Sequence, residues 1–280
     1  MKLVKKYAAI IASKLTIARA LLIASLISAR CFCSFGQDTA TIEKTLFKYY
    51  SKLQYVTSTI DKPGWQDSIA LADSIFKAKL LYYSGKVPAT LIQSFNSLKN
   101  KGFTVSTSTD GLFRIYNWDN ESGGTMRFYD NVFQFKNGNK VISGILPYCY
   151  QYEDGDPGCS YSDTIYTVKG SNKIYYAAIY GTVGSSKVSG EGVKFFAIEN
   201  NKINDTVHLV KTKSHLSTHI DYELDNNSYG SQHSIGDGTI LYDRKTNTIY
   251  IPLIWDDGTI TKDYIKYRFN GKYFEKTKEG

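Results

Sequence analysis

The sequence is short of every feature that would announce a chemistry. It holds no nucleophile elbow, no phosphate-binding loop, no metal-ligand spacing and no nucleic-acid motif, so none of the common catalytic or cofactor classes is signalled. Cysteine and histidine are scarce, at four each in 280 residues. The formal charge of +8 would suit a polyanionic partner, but it belongs to the start of the chain. Lys2, Lys5, Lys6, Lys14, Arg19 and Arg30 lie in the first 36 residues without an acid among them. Of 34 basic residues, 28 then remain against 26 acidic ones, a balance of +2. A near-neutral remainder lacks the sequence-independent attraction to phosphate on which nucleic-acid binding depends, so no nucleic-acid partner is expected.

A long hydrophobic run is also lacking. The apolar stretch Ala20 to Ala29 (ALLIASLISA) has ten residues, too few to span a bilayer. It follows a basic region ending near Arg19, and Ser34 and Gly36 stand at −3 and −1 of a cut before Gln37, so residues 1–36 read as a cleaved secretory signal. A retained membrane anchor would bury Lys14 and Arg19 in hydrocarbon, at high cost. A lipid-anchored form would need small residues before Cys31 or Cys33, where Arg30 and Phe32 stand. The mature chain is expected in the periplasm or outside the cell, with no transmembrane segment after cleavage. It keeps only Cys149 and Cys159, nine residues apart across the turn-rich loop YQYEDGDPG. In an oxidising compartment such a pair reads as a disulfide, worth about 2 to 3 kcal/mol for so small a loop; two buried thiols are the alternative.

What the chain has in quantity is tyrosine, 23 residues, with 14 Phe and 3 Trp. Between residues 37 and 102 the apolar residues recur at spacings of three and four. Ile42, Leu46, Tyr49, Tyr50, Leu53 and Val56 form one stripe, and Ile69, Ala72, Ile75, Phe76, Leu80 and Tyr83 a second after the break at Pro63-Gly64. A third, shorter helix carrying Leu91, Ile92, Phe95 and Leu98 is expected from Pro88, ending at Asn100 and Gly102. From Phe103 the period changes to two. Turn dipeptides such as Asp110-Gly111, Asn137-Gly138 and Asn270-Gly271 separate about a dozen runs rich in Tyr, Ile, Val, Phe and Thr. The expected architecture is mainly β, an antiparallel meander over residues 103–280 preceded by a small helical cap over 37–102. The meander could form a sandwich, an open twisted sheet or a partial propeller. Trp118-Asp119 and Trp255-Asp256 hint at blade-like repetition, but two copies without a regular period do not make a closed propeller. In the hairpin around residue 130, Met126 and Phe128 are apolar at even positions and Phe133 and Phe135 at odd ones, which predicts a bulge or turn at Asp130-Asn131.

Four groups of residues are candidates for function. His215, His219, Asp221 and Glu223 lie on one face of a strand whose alternate residues are apolar, the pattern of a solvated face. His215 and His219 would stand about 13 Å apart, too far to share a metal, whereas His219 and Asp221 at about 6.6 Å could. Glu153, Asp154 and Asp156 offer oxygen ligands suited to Ca²⁺, although a solvated turn is the simpler reading. The stretch Asp225 to Gly230 loosely resembles a calcium loop but places Tyr229 at a ligand position and lacks the closing glutamate. The aromatic residues suggest the fourth. Most strand tyrosines serve packing, but an exposed platform on a rigid sheet would bind a sugar or flat ligand. Arg114, Tyr116 and Trp118 on one face of the central strand, with Arg127 and Tyr129 opposite, are the expected platform.

The segment S-T-D-G-L-F-R-I-Y-N-W-D, followed by G-G-T-M-R-F-Y and Gln134, is similar to a segment of uncharacterised exported proteins of the Bacteroidota. The W-x-D-S-I helix before it and the closing Y-R-F-N-G-K-Y-F resemble that group too. The resemblance implies an exported protein with a helical portion and a β domain, and no activity. It also implies that Asp67-Ser68-Ile69, Asp73-Ser74-Ile75, Asp163-Thr164-Ile165 and Asp205-Thr206-Val207 resemble O-glycosylation triplets of that phylum.

The sequence thus supports an exported, non-catalytic β protein of the envelope that binds a ligand or partner, a glycan or an envelope protein, through an aromatic sheet face. One alternative is a hydrolase drawing its acid and base from Glu121, Asp154, His219, Asp221 or His233. Another is a structural scaffold whose helical cap is the interaction surface.

Overall fold

The computed structural model describes residues 39–58, 63–146, 157–225, 239–255 and 260–277. The expected signal, Cys149, the acidic loop Glu153, Asp154 and Asp156, Asp225 to Gly230 beyond its first residue, His233 and Asp256 lie outside these residues. The chain divides into two units. Of the first, Met1–Thr45, only the opening turns of helix α1 (residues 39–57) are described; the second, Leu46–Gly280, carries the rest.

Within the second unit, the stripe Leu46, Tyr50 and Leu53 of α1 is buried. Helix α2 (Trp65–Lys86) follows Gly64, whose φ of 76° supplies the left-handed turn that Pro63-Gly64 foreshadows. It buries Ile69, Ala72, Phe76 and Leu80, the i, i+3, i+4 face read from the sequence. The third helix is broken. A 3₁₀ turn η1 (Pro88–Leu91) and a single turn α3 (Asn96–Lys99) replace it, separated by Phe95 at φ 52°. Phe95 is itself fully buried, so its ring is seated in the core at the expense of a continuous helix.

The protein is mainly β, in two sheets. The first has nine strands: β1 (Thr104–Ser108), β2 (Phe113–Asp119), β3 (Tyr129–Asn137), β4 (Lys140–Ile145), β5 (Ser160–Lys169), β6 (Ile174–Val183), β7 (Val188–Glu199), β8 (Lys202–Asn204) and, after two strands of the other sheet, β11 (His219–Asp225). Their order is β11-β7-β6-β5-β1-β2-β3-β4, with β8 on the remaining end of β7. The second sheet runs β10-β9-β15-β14-β13-β12, from β9 (Val210–Lys211), β10 (Leu216–Ser217), β12 (Leu241–Asp243), β13 (Thr248–Ile254), β14 (Ile260–Phe269) and β15 (Phe274–Lys276). Pairing is antiparallel except for β1 with β5 and β15 with β9. The first of these arises because the chain leaves β4 and returns to the opposite side of β1.

Residues paired across neighbouring strands share a face, so the register sorts the core. Phe113, Ile115, Phe135, Ile165, Tyr176, Ala178 and Phe196 form one cluster on one face of the first sheet. On the opposite face, Val168, Ala177, Val193, Phe195 and Ala197 meet Val210, Ile249, Ile251 and Phe274 of the second sheet. Further along that same opposite face, over β3 and β4, lies α2. Strand β2 is therefore covered on both sides, and six of its seven residues are buried. Pairing between β2 and β3 runs unbroken from Asp119↔Tyr129 to Phe113↔Phe135, so the bulge expected at Asp130-Asn131 is absent. The apolar parity change occurs because Met126 and Phe128 precede the strand, which starts at Tyr129.

Candidate ligand face

The expected aromatic platform is core. Tyr116 and Trp118 are wholly buried and Arg114 is 5% exposed. Phe76 of α2 meets the Trp118 ring edge-on at 5.1 Å, Phe103 stacks on both Trp118 and Tyr116 at about 6 Å, and Phe95 meets Tyr116 at 5.7 Å. Polar tips on this face are paired within the protein. Arg114 donates from Nη1 to the carbonyls of Thr90 (2.8 Å) and Gln93 (2.6 Å), at and just beyond the end of η1. The Tyr116 hydroxyl lies 2.5 Å from Gln134 Oε1 and 3.0 Å from the Thr90 carbonyl, and burial pushes its pKa up. Arg114, Tyr116 and Trp118 lie on one face of β2, and helical residues cover it.

Beneath the helix a charged chain continues. Trp118 Nε1 donates to Asp73 Oδ1 at 2.8 Å, Asp73 pairs with Lys77 at 3.1 Å, and Lys77 closes on Asp130. Burial, then the charge of Asp73, pushes the Asp130 carboxyl up to about 6, against the pull of Lys77. Lys77, which burial would discharge, is held above its usual value by Asp130 and Asp73. Nothing in the hydrophobic pattern marks Asp73, which occupies an apolar stripe position; its role shows only when Trp118 is seen to need an acceptor.

Arg127 and Tyr129, the other half of the expected platform, stand at the rim of the β2–β3 loop. Arg127 pairs with Asp119 (3.2 Å) and reaches Glu121 (3.7 Å). Glu121 adopts φ 61° and is half-buried; burial, then the Asp119 charge, raises its pKa, with Arg127 opposing. A carboxyl so placed holds its proton more readily than a free glutamate and could serve as an acid. His219 and Asp221 lie 3.6 Å apart on edge strand β11, with Asp221 and Glu223 exposed. Their face is solvated, but the single strand expected from His215 is broken: His215 precedes β10 of the second sheet, and only His219, Asp221 and Glu223 share β11. Among the described residues, no group of three or more His, Cys, Asp or Glu side chains is arranged to hold a metal ion.

Of the expected disulfide pair, Cys159 is fully buried beside Ser160 at the start of β5. Its carbonyl accepts hydrogen bonds from Asn117 Nδ2 (3.0 Å) and Asn131 Nδ2 (3.1 Å), which anchors one end of the loop. Of the triplet hydroxyls, Ser68, Ser74 and Thr206 are exposed and Thr164 is half-buried.

Tyrosines reach the surface elsewhere, on the outer face of the second sheet. Its inner residues Ile249 and Ile251 are core, so Tyr250 lies on the outer face across from Lys266, while Pro252, across from Tyr264, is buried. Tyr250 and Tyr264 meet edge to face at 5.9 Å, and the Lys266 ammonium stands 5.9 Å from the Tyr250 ring. An open groove of about 930 Å³ borders this face, lined by Lys211, Lys213, Leu253, Tyr264, Lys266 and Glu275 among others. Lys211 pairs with Glu275 at 2.8 Å, the single acid among the described lining residues. Trp255, 66% exposed, follows β13. These residues were legible as strand residues only. Their exposure depends on which face of the second sheet the first sheet covers. No protein-family model, curated protein or solved structure matches the chain.

Proposed function

We propose that this is an exported, non-catalytic binding protein that takes a carbohydrate, one bearing acidic groups, on the outer face of its second sheet. The observation that carries the reading is the groove lined by Tyr264, whose half-buried ring meets Tyr250, where the cations Lys211, Lys213 and Lys266 stand with one acid among the described lining residues. Rings supply contact area at low entropy cost, and an excess of cations selects an acidic sugar over a neutral one. The groove size falls within the range of small-ligand sites. Export rests on the basic and apolar start of the chain and on the paired cysteines, which would close the Cys149–Cys159 loop in an oxidising compartment. A non-reducing peptide map of the secreted protein should then join the peptides holding Cys149 and Cys159.

The test is a glycan-binding titration of the mature chain with acidic and neutral oligosaccharides, repeated on Tyr264→Ala. Saturable binding of an acidic glycan, weakened by the substitution, is the expected result; binding unchanged by it would remove the groove from consideration. A hydrolase reading has one observation in its favour, the raised pKa of Glu121. The ion pair of its neighbour Asp119 with Arg127 and the position of His219 on another strand make it the weaker of the two.

A further inference from the structure

A second and smaller cavity opens where the two sheets meet, and we propose that it binds the anionic head of a small organic molecule, a phosphate monoester or a carboxylate. The cavity, about 370 Å³, lies among Asp110, Tyr166, Lys169, Tyr242, Arg244 and Asn247. Tyr166 and Lys169 belong to β5 of the first sheet, Tyr242 to β12 of the second, and Arg244 and Asn247 to the β12–β13 turn. Every element that shapes it is fixed. The rings of Tyr166 and Tyr242 stack at 4.3 Å, 17° from parallel, across the seam. The Tyr242 hydroxyl donates to Asn247 Oδ1 at 3.0 Å, and Asn247 takes a left-handed φ of 49° while its carbonyl accepts the Phe269 N–H. On the other wall the Asp110 N–H donates to Thr167 Oγ1 (3.2 Å) and the Thr167 N–H to Thr109 Oγ1 (3.1 Å).

The described lining holds two cations, Lys169 and Arg244, and one acid, Asp110. Asp243, next to Arg244 in sequence, builds the turn: its Oδ1 accepts the Lys245 N–H (2.8 Å) and its Oδ2 the Thr246 hydroxyl (2.6 Å). Asp110 is similarly committed. Its Oδ1 accepts the Ser108 hydroxyl (2.6 Å) and the Leu112 N–H (3.0 Å), and Oδ2 faces the Tyr176 hydroxyl (3.3 Å). Among the described residues neither Arg244 nor Lys169 has an ion-pair partner. Among the described lining residues two cations on the rim stand against one carboxylate, Asp110, whose donors are neutral and leave its charge in place, so the lining carries one net positive charge. The guanidinium fork of Arg244 fits the paired oxygens of a carboxylate or phosphate, and the tyrosine edges offer an apolar wall to the rest of the ligand.

The site shares no residue with the outer groove, so the two readings stand or fall separately. Purified mature protein, from Gln37 onward, is titrated calorimetrically with phenyl phosphate and with benzoate, and benzyl alcohol serves as the uncharged control. The expected result is saturable one-to-one binding of at least one anion and none of the alcohol. Arg244→Gln should weaken it about tenfold or more, as loss of a charge-assisted bidentate contact does, and Lys169→Gln a few-fold. Lys266→Gln, in the groove, should leave it unchanged. Absence of saturable binding by both anions, or full affinity in Arg244→Gln with an unaltered unfolding temperature, overturns the proposal. Binding abolished by Lys266→Gln but intact in Arg244→Gln would also overturn it, by placing the anion in the outer groove.

Discussion

Two cation–tyrosine pairs of similar separation end in opposite environments. Arg114 lies 5.7 Å from the Tyr116 ring on β2, and Lys266 lies 5.9 Å from the Tyr250 ring across β13 and β14. The first pair is sealed beneath η1 and Phe95, with the guanidinium spent on backbone carbonyls; the second faces solvent beside an open groove. The contrast shows that a strand's outward alternation says only that two faces differ. What packs over each face is decided by elements far away in the chain.

The largest effect that could break this contrast is expected at Trp118. Trp118→Ala should cost about 3 to 5 kcal/mol, from the lost ring and from Asp73 left without its donor. Urea unfolding would measure it, and a loss below about 1 kcal/mol would mean that the β2 face is not core. Gly192→Ala comes next. A Cβ there would stand 2.3 Å from the Tyr180 hydroxyl and 2.8 Å from the Ile220 carbonyl, so about 1 to 3 kcal/mol of overpacking is expected in the same assay.

A third test concerns the charged chain under α2. Asp130 binds its proton more tightly folded, at about 6, than at its ordinary value of 3.8. The folded state therefore holds more protons between these values, and stability falls as pH rises through that window. Going from pH 7 to pH 5 should add about 1 kcal/mol of stability, and Asp130→Asn should flatten the dependence. An unchanged slope in the variant would assign the titration to another group. The smallest stability effect belongs to the exposed face. Tyr264→Ala should cost less than about 1 kcal/mol while reducing affinity for an acidic glycan by up to about tenfold. A large loss of stability would make Tyr264 a packing residue like Tyr116, and the contrast would disappear.

Much of the fold was legible in local pattern. The buried stripe of α2 and the hairpin of β2 and β3 follow from periodicity and turn residues, because side-chain direction repeats every 3.6 residues in a helix and every two in a strand. The short strands β8 and β15 were missed, since three residues carry too little alternation to register. The third helix was overread because the seating of Phe95 in the core, a tertiary demand, breaks it. For the site the outcome was reversed. Arg114, Tyr116 and Trp118 stood out as an aromatic row, while Tyr250, Tyr264 and Lys266 looked like ordinary strand residues. Neither Arg244 nor Lys169 had any local signal, since their juxtaposition joins two sheets.

By itself the sequence determined that the chain would be mainly β with helices before it, that its strands would have unlike faces, and that its basic excess lies at the start. These are local properties, set by side-chain period, turn chemistry and residue count. The tertiary structure alone decided which aromatic row became core and which stayed open. Residues 46 to 99 cover one part of a sheet face and the second sheet covers another, and burial is a property of such distant contacts.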